Sequence, residues 1–141
     1  MSEEGEVLNT LRYDSSGNTL FSSPSDIHVE NTSDSARLLV SDFGMETVYM
    51  LDVDLQLLQA FQFPSDGKPC GLAAVGGGQV LVDNWTNDTL HLLDLTTGQW
   101  RTLLGREDGL WWTRSLVYNQ AIKQLYIGGL GDEVKVYTVS E

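Results

Sequence analysis

An all-β fold of repeated four-stranded sheets is what this sequence predicts, on three observations. No stretch reads as a helix. Apolar residues alternate or run in short groups bounded by Gly, Asp, Asn, Ser or Pro, which is the signature of strands. One pattern then occurs three times. Pro24-Ser25-Asp26-Ile27 leads to Leu38-Leu39-Val40-Ser41-Asp42 and Val48-Tyr49-Met50-Leu51-Asp52. Pro69-Cys70-Gly71-Leu72 leads to Val80-Leu81-Val82-Asp83-Asn84 and Leu90-His91-Leu92-Leu93-Asp94. Thr113-Arg114-Ser115-Leu116 leads to Leu125-Tyr126-Ile127-Gly128-Gly129 and Val134-Lys135-Val136-Tyr137. The interval is nearly constant: Ile27, Leu72 and Leu116 stand about 45 residues apart, the period of one blade of a β-propeller. Closed propellers have about four to eight blades. This chain encodes about three, too few to close a ring alone. A small β-sandwich also has short strands, but it does not predict one strand order recurring at one interval.

Blades are expected at approximately 24–63, 69–104 and 113–139, with 7–22 as terminal strands completing a blade. The segment from Asn9 to Phe21 resembles a third strand, turn and outer strand; it compares with Leu93 to Trp100. In the first blade a longer hairpin, Glu30 to Ala36, joins the first two strands, and Gln56 to Phe63 is the outer strand. In the second, Gly71 to Val75 is small and apolar, as crowding near an axis requires. Gly76-Gly77-Gly78 is a turn, because glycine adopts positive φ without a steric penalty. Gln79 to Asp83, Thr89 to Asp94 and Gln99 to Leu104 follow, with Leu95-Thr96-Thr97-Gly98 turning into the last. The third blade ends after its third strand, near Val139, without an outer one.

Composition narrows the function. The 141 residues make one domain, and the apolar share of 41% supports a folded core. The acidic, polar start and the lack of a long apolar run predict neither a signal peptide nor a membrane span. Cys70 is the only cysteine; no internal disulfide is possible, and a reduced, cytoplasmic setting is expected. The net charge is −12, with 8 scattered basic residues. Phosphate recognition needs clustered Lys and Arg, so nucleic-acid binding and anionic membranes are disfavoured.

The pattern Pro69-x-Gly71-Leu72, Leu81-Val82-Asp83-Asn84, Leu90-x-Leu92-x-Asp94 and Gly98 resembles the NHL-repeat propellers. The match runs over about residues 7 to 139. The first repeat has Asp26 where that family has Gly, and Gly128-Gly129 in the third stands where its Asp is expected. The ending from Leu125 to Tyr137 resembles the C-terminal half of the propeller of tripartite-motif (TRIM-like) proteins. That resemblance implies a six-bladed ring binding proteins or RNA. The RING, B-box and coiled-coil modules of such proteins are not in this sequence, so ubiquitin ligase activity is not expected of it.

Aligning Asp42 with Asn84 and Gly129 places Phe43, Trp85 and Leu130 at one position of the loop after the second strand. Recurring large apolar residues there suggest a binding rim, and Lys68, Trp112 and Arg114 approach the same face. Trp and Arg are the side chains most enriched where interfaces carry their energy. The alternative is packing under the neighbouring loop. Asp42, Asp83, Asn84 and Asp88 raise a calcium site, as in lactonase-like six-bladed propellers; capping of loop amides explains them as well. No metal or other cofactor is expected. His28 and His91 lie in strands without partner spacing, and no nucleophile–His–acid set can be placed together. Trp100, Trp111, Tyr118 and Tyr126 are expected between blades, and Cys70 as packing.

The expected function is therefore a non-enzymatic scaffold binding a protein partner through its loop face. A calcium-dependent lactonase or esterase, and an RNA-binding module, are the alternatives. Exposed blade faces favour association. A two-fold homodimer is expected, with the Asn9 to Phe21 segment of one chain completing the last blade of the other.

Overall fold

The computed structural model describes residues 5–31, 35–64, 67–110, 113–129 and 132–139, with backbone alone at 114 and 129. Eleven strands are defined there: β1 (Pro24–Asn31), β2 (Ala36–Asp42), β3 (Thr47–Asp52), β4 (Leu57–Gln62), β5 (Pro69–Gly76), β6 (Gln79–Asn84), β7 (Thr89–Asp94), β8 (Trp100–Leu104), β9 (Thr113–Asn119), β10 (Gln124–Gly129) and β11 (Val134–Thr138). They form three antiparallel meanders, β1-β2-β3-β4, β5-β6-β7-β8 and β9-β10-β11. The inner strands β1, β5 and β9 touch in succession, so the sheets stand side by side as blades and not stacked as a two-sheet sandwich. The structure is about three blades of a β-propeller, unclosed, half of a six-bladed ring. One helical turn interrupts the strands, a 3₁₀ turn at Arg106–Asp108. Sequence periodicity misses so short an element.

Register explains the repeat. Asp42 pairs with Pro24, and Asn84 with Pro69. Asp52 pairs with Arg37, Asp94 with Gln79 and Thr138 with Gln124. Each blade therefore presents alternate residues to the blade before it and the blade after it. Leu39, Val48, Met50, Phe61 and Phe63 of the first blade pack on Leu72, Val80, Val82, Leu93 and Leu95 of the second. Ala73, Val75, Leu81, Leu90 and Leu92 pack on Leu116, Leu125 and Ile127 of the third. A fully buried Leu or Val stabilises by about 1.5–3 kcal/mol, so these two seams dominate the folding free energy. Phe63 stacks on Trp100 across the first seam, with centroids 4.7 Å apart. Tyr118 lines the second seam. Trp111 lies outside the described residues.

Turn chemistry repeats with the strands. Asp52 Oδ1 accepts the amides of Asp54 and Gln56, both at 2.9 Å. Asp94 Oδ1 accepts those of Thr96 and Thr97 at 2.9 and 3.1 Å. A further copy lies near the N-terminus, where Asp14 Oδ1 accepts Ser16 and Asn18 amides at 2.9 Å. Tyr13 bridges Thr19 beside it, as Leu51 pairs with Leu57. This hairpin lays Leu11, Leu20 and Phe21 against Val40, Tyr49 and Leu51 of the first blade. The Tyr49 hydroxyl donates to the Leu20 carbonyl at 2.9 Å. Between β5 and β6, Gly76, Gly77 and Gly78 all have positive φ (89°, 64° and 74°), a run that side-chain-bearing residues resist.

Candidate functional site

Two loops project from the same end of adjacent blades, and each is held by the residue that closes its second strand. Asp42 is buried. Its Oδ2 accepts the Ser22 amide at 2.8 Å, and its Oδ1 accepts the amides of Ser23, Gly44 and Met45 at 2.8, 3.0 and 3.1 Å. Asn84 repeats this with one oxygen, accepting Lys68 and Thr86 amides at 3.0 and 3.1 Å. The next residue docks likewise in both: the Phe43 amide donates to the Ser23 carbonyl and the Trp85 amide to that of Lys68, each at 3.0 Å. Both loops end on an acidic residue in the left-handed region, Glu46 and Asp88, each at φ 55°.

This scaffold brings three of the expected rim residues together. The Phe43 and Trp85 rings meet edge to face, centroids 5.6 Å apart, a favoured aromatic geometry. Lys68 Nζ lies 5.6 Å from the Phe43 centroid and 2.9 Å from Glu46 Oε1. Trp85 stays 38% exposed, and Met45 of the Phe43 loop, which sequence reasoning did not single out, is also exposed. Phe43 is half-buried: it is partly platform and partly surface, so packing under a neighbouring loop and display at a rim both apply. Trp112 and Leu130 lie outside the described residues. Arg114 is on β9, and its backbone alone is described.

The loop-end acids make a second repeated device. Glu46 pairs with Lys68, which leads into β5; Asp88 pairs with Arg106, which leads out of β8, at 3.0 Å. Each ties a loop to a connection between blades. No spacing rule links these partners, and only the fold brings them together. A cleft of about 180 Å³ opens between Trp85, Thr86, Asp88 and Arg106. A larger one, about 480 Å³, is lined by Asn84, Asn87, His91, Trp100 and Thr102 among others. There His91 bonds Thr89 through Nε2 at 2.9 Å and Thr102 through Nδ1 at 3.3 Å. Burial lowers its pKa below the ordinary histidine value.

The four residues that raised a calcium site are put to other uses. Asp42 and Asn84 cap loops, and Asp88 is ion-paired. Asp83 faces the third blade with both oxygens buried and without a hydrogen bond of good geometry, and Thr113 Oγ1 and the Gly71 amide stand close to it. Burial pushes the Asp83 carboxyl up to about 7; Thr113 and the Gly71 amide oppose that rise, and Asp26 and Asp88 add to it. Among the described residues no group of three or more His, Cys, Asp or Glu side chains has the geometry to hold a metal. Among the same residues no helix is long and apolar enough to cross a membrane.

Solved structures carry the same arrangement. The fold is that of a partial β-propeller. The β-propeller domain of Cps50 (Swd1) from Myceliophteria thermophila matches with a TM-score of 0.62 at 18% identity, over 81% of this chain and 38% of that one. Hydrazine synthase from Kuenenia stuttgartiensis matches with a TM-score of 0.63 at 16% identity, over 95% and 36%. Virginiamycin B lyase from Staphylococcus aureus matches with 0.58 at 14% identity, over 84% and 42%. This chain spans about two fifths of the length of the chains it matches. At such identities the likeness is one of fold alone. No protein-family model and no curated protein matches the sequence.

Proposed function

We propose that this chain is a non-enzymatic, NHL-type interaction module that binds protein partners through the rim built on Phe43, Lys68 and Trp85. One observation carries the reading. An exposed Trp, an edge-packed Phe and a Lys–Glu pair form one cluster across two blades, and the two loops behind it are pinned by the capping Asp42 and Asn84. Rigid aromatic anchors beside a partly desolvated charge are what interface hot spots are made of. Trp112, Arg114 and Leu130 are counted with this rim on their sequence positions alone. The wider setting, a TRIM-like cytoplasmic protein, rests on the sequence resemblance. Two copies pair to complete a six-bladed ring.

The test is selection of binding peptides from a displayed library on the wild-type chain. The selected peptides are then measured on the double variant Trp85→Ala, Lys68→Ala. Folding is checked by thermal melting, which exposed positions leave nearly unchanged. Binding should weaken at least about tenfold, the loss expected when an anchor of roughly 1.4 kcal/mol or more is removed. Equal affinity for both proteins would remove the rim from consideration.

A further inference from the structure

Two blade faces have no blade against them among the described residues, and each has a buried counterpart elsewhere in the chain. Ile27 on β1 is 62% exposed, whereas Leu72 on β5 and Leu116 on β9, at the same place in their blades, are 1% and 6% exposed. Val134 and Val136 on β11 are 71% and 52% exposed; their counterparts on β7, Leu90 and Leu92, are 1% and 8%. Register sets the equivalence, since Gly128 pairs with Val134 as Asp83 pairs with Leu90. The open faces therefore continue the blade-to-blade interface that this chain already makes twice.

The N-terminal hairpin shows how they join. Its Asp14 turn matches the turn after Asp52 bond for bond, so Tyr13 stands where Leu51 stands and Thr19 where Leu57 stands. Residues 19–21 occupy the place of an outer fourth strand lying against the first blade, and residues 11–13 that of a third strand. β11 is also a third strand, and among the described strands nothing pairs with its outer side. A ring made of two copies thus has one third strand too many at each junction.

We infer that two copies of this chain close by strand exchange: β11 of the second copy pairs with residues 19–21 of the first, displaces residues 11–13, and the reverse happens at the other junction. The inference rests on the paired-copy reading above and adds the displaced segment and the register. Tyr137 lies opposite Thr19, Val136 opposite Leu20 and Lys135 opposite Phe21. In that register Val136 and Leu20 both face the first blade, where Leu20 is already buried on Val40, Tyr49 and Leu51. Ile27 and Val29 are covered by the third blade of the second copy, which presents Val117, Val134 and Val136. The displaced arm leaves readily. It is held by one bridge, the Leu20 amide to Arg12 carbonyl bond, the partly buried Leu11 and an exposed bond from Asn9 Nδ2 to the Asp54 carbonyl at 3.2 Å. Each chain carries a net charge of −12, so the copies repel at long range and salt strengthens their association.

Sedimentation equilibrium on the full chain, over a salt series, tests this. A dimer is expected, with a dissociation constant that falls as salt rises. Ile27→Asp and Val136→Asp should each raise that constant at least about tenfold without altering the melting of the monomer, since both side chains are exposed. Mixing the two variants should restore association, because one of the two junctions in the mixed dimer is then wild type. Leu11→Asp, which loosens the displaced arm, should tighten the dimer. A monomer at every concentration overturns both the exchange and the paired reading. A dimer that neither Asp variant weakens, that mixing fails to rescue, or that Leu11→Asp loosens, overturns the exchange and leaves the pairing standing.

Discussion

Replacing Asp83 with Asn should stabilise the protein at neutral pH and not in acid, and the size of the effect follows from the structure. The Asp83 side chain is 1% exposed, at the seam between the second and third blades. Neither oxygen has a hydrogen bond of good geometry; Thr113 and the Gly71 amide stand close enough to oppose the effect only in part, so ionisation forfeits more hydration than they return. Burial holds its pKa at about 7 in the folded protein, against 3.8 for a free carboxyl. Between those values the folded state keeps a proton that the unfolded state has released. Stability therefore falls as pH rises through this window: the contribution is fully present below the unfolded value and is lost above the folded one. Each unit of displacement is worth about 1.4 kcal/mol, so the shift amounts to about 4 kcal/mol at most, and water entry on ionisation reduces it to about 2–4 kcal/mol. Asn carries no charge and can donate from Nδ2 to Thr113 Oγ1. Urea unfolding of both proteins at closely spaced pH values, from about 4 to 7.5, gives the difference curve, in which other groups cancel. It should climb by about 2–4 kcal/mol in favour of the variant. Parallel curves, agreeing within about 0.5 kcal/mol, would refute the idea that Asp83 is buried without full compensation.

Two further outcomes are expected. Trp100→Ala removes the ring stacked on Phe63 and opens the first seam; because Trp100 is only half-buried, the loss should fall near the low end of the range for such truncations, about 2–3 kcal/mol by urea denaturation. Gly76→Ala forces a side chain into φ 89° and drives its Cβ into Gln120 Nε2; Gln120 must swing aside and release the Val75 carbonyl, so backbone strain and the lost bond together cost about 1–2 kcal/mol, read as a lower melting temperature with an unchanged far-ultraviolet spectrum.

Strand order and turns were legible because the chain writes the same local chemistry repeatedly. An Asp that closes a hairpin through its own side chain appears at 14, 52 and 94, each time by accepting the amide two residues on. The equivalence of Phe43 and Trp85 was legible for the same reason. Their ring contact was not, because it depends on how two blades tilt together. Nor were the Glu46–Lys68 and Asp88–Arg106 pairs, whose partners share no strand or turn. Asp26 shows the opposite case. It stands where the resembled pattern has Gly, and the structure gives the reason: its Oδ2 accepts the Leu72 amide of the next blade at 2.9 Å.

The two seams differ in kind, and one equivalent position shows why. Ser41, Asp83 and Gly128 occupy the same place on β2, β6 and β10, pointing toward the following blade. Ser41 donates to the Cys70 carbonyl at 2.6 Å and is within 3.0 Å of Ser25 Oγ. With the Asp26–Leu72 bond, these tie the first blade to the second through polar contacts beside an apolar core. At Asp83 the matching position meets Thr113, and no bond of good geometry forms. The second seam has its polar ties toward its other edges, Gln120 Nε2 to the Val75 carbonyl at 3.3 Å and the Tyr137 hydroxyl to the Asp108 carbonyl at 2.9 Å. A buried polar group that is satisfied stabilises its seam, while an orphaned one costs about 1–3 kcal/mol. The first blade has orphans of its own, Glu30 Oε2 and Arg37 Nε, so the seams differ in where their polar ties lie: the first is tied beside its apolar core at Ser41 and Asp26, the second at its margins through Gln120 and Tyr137.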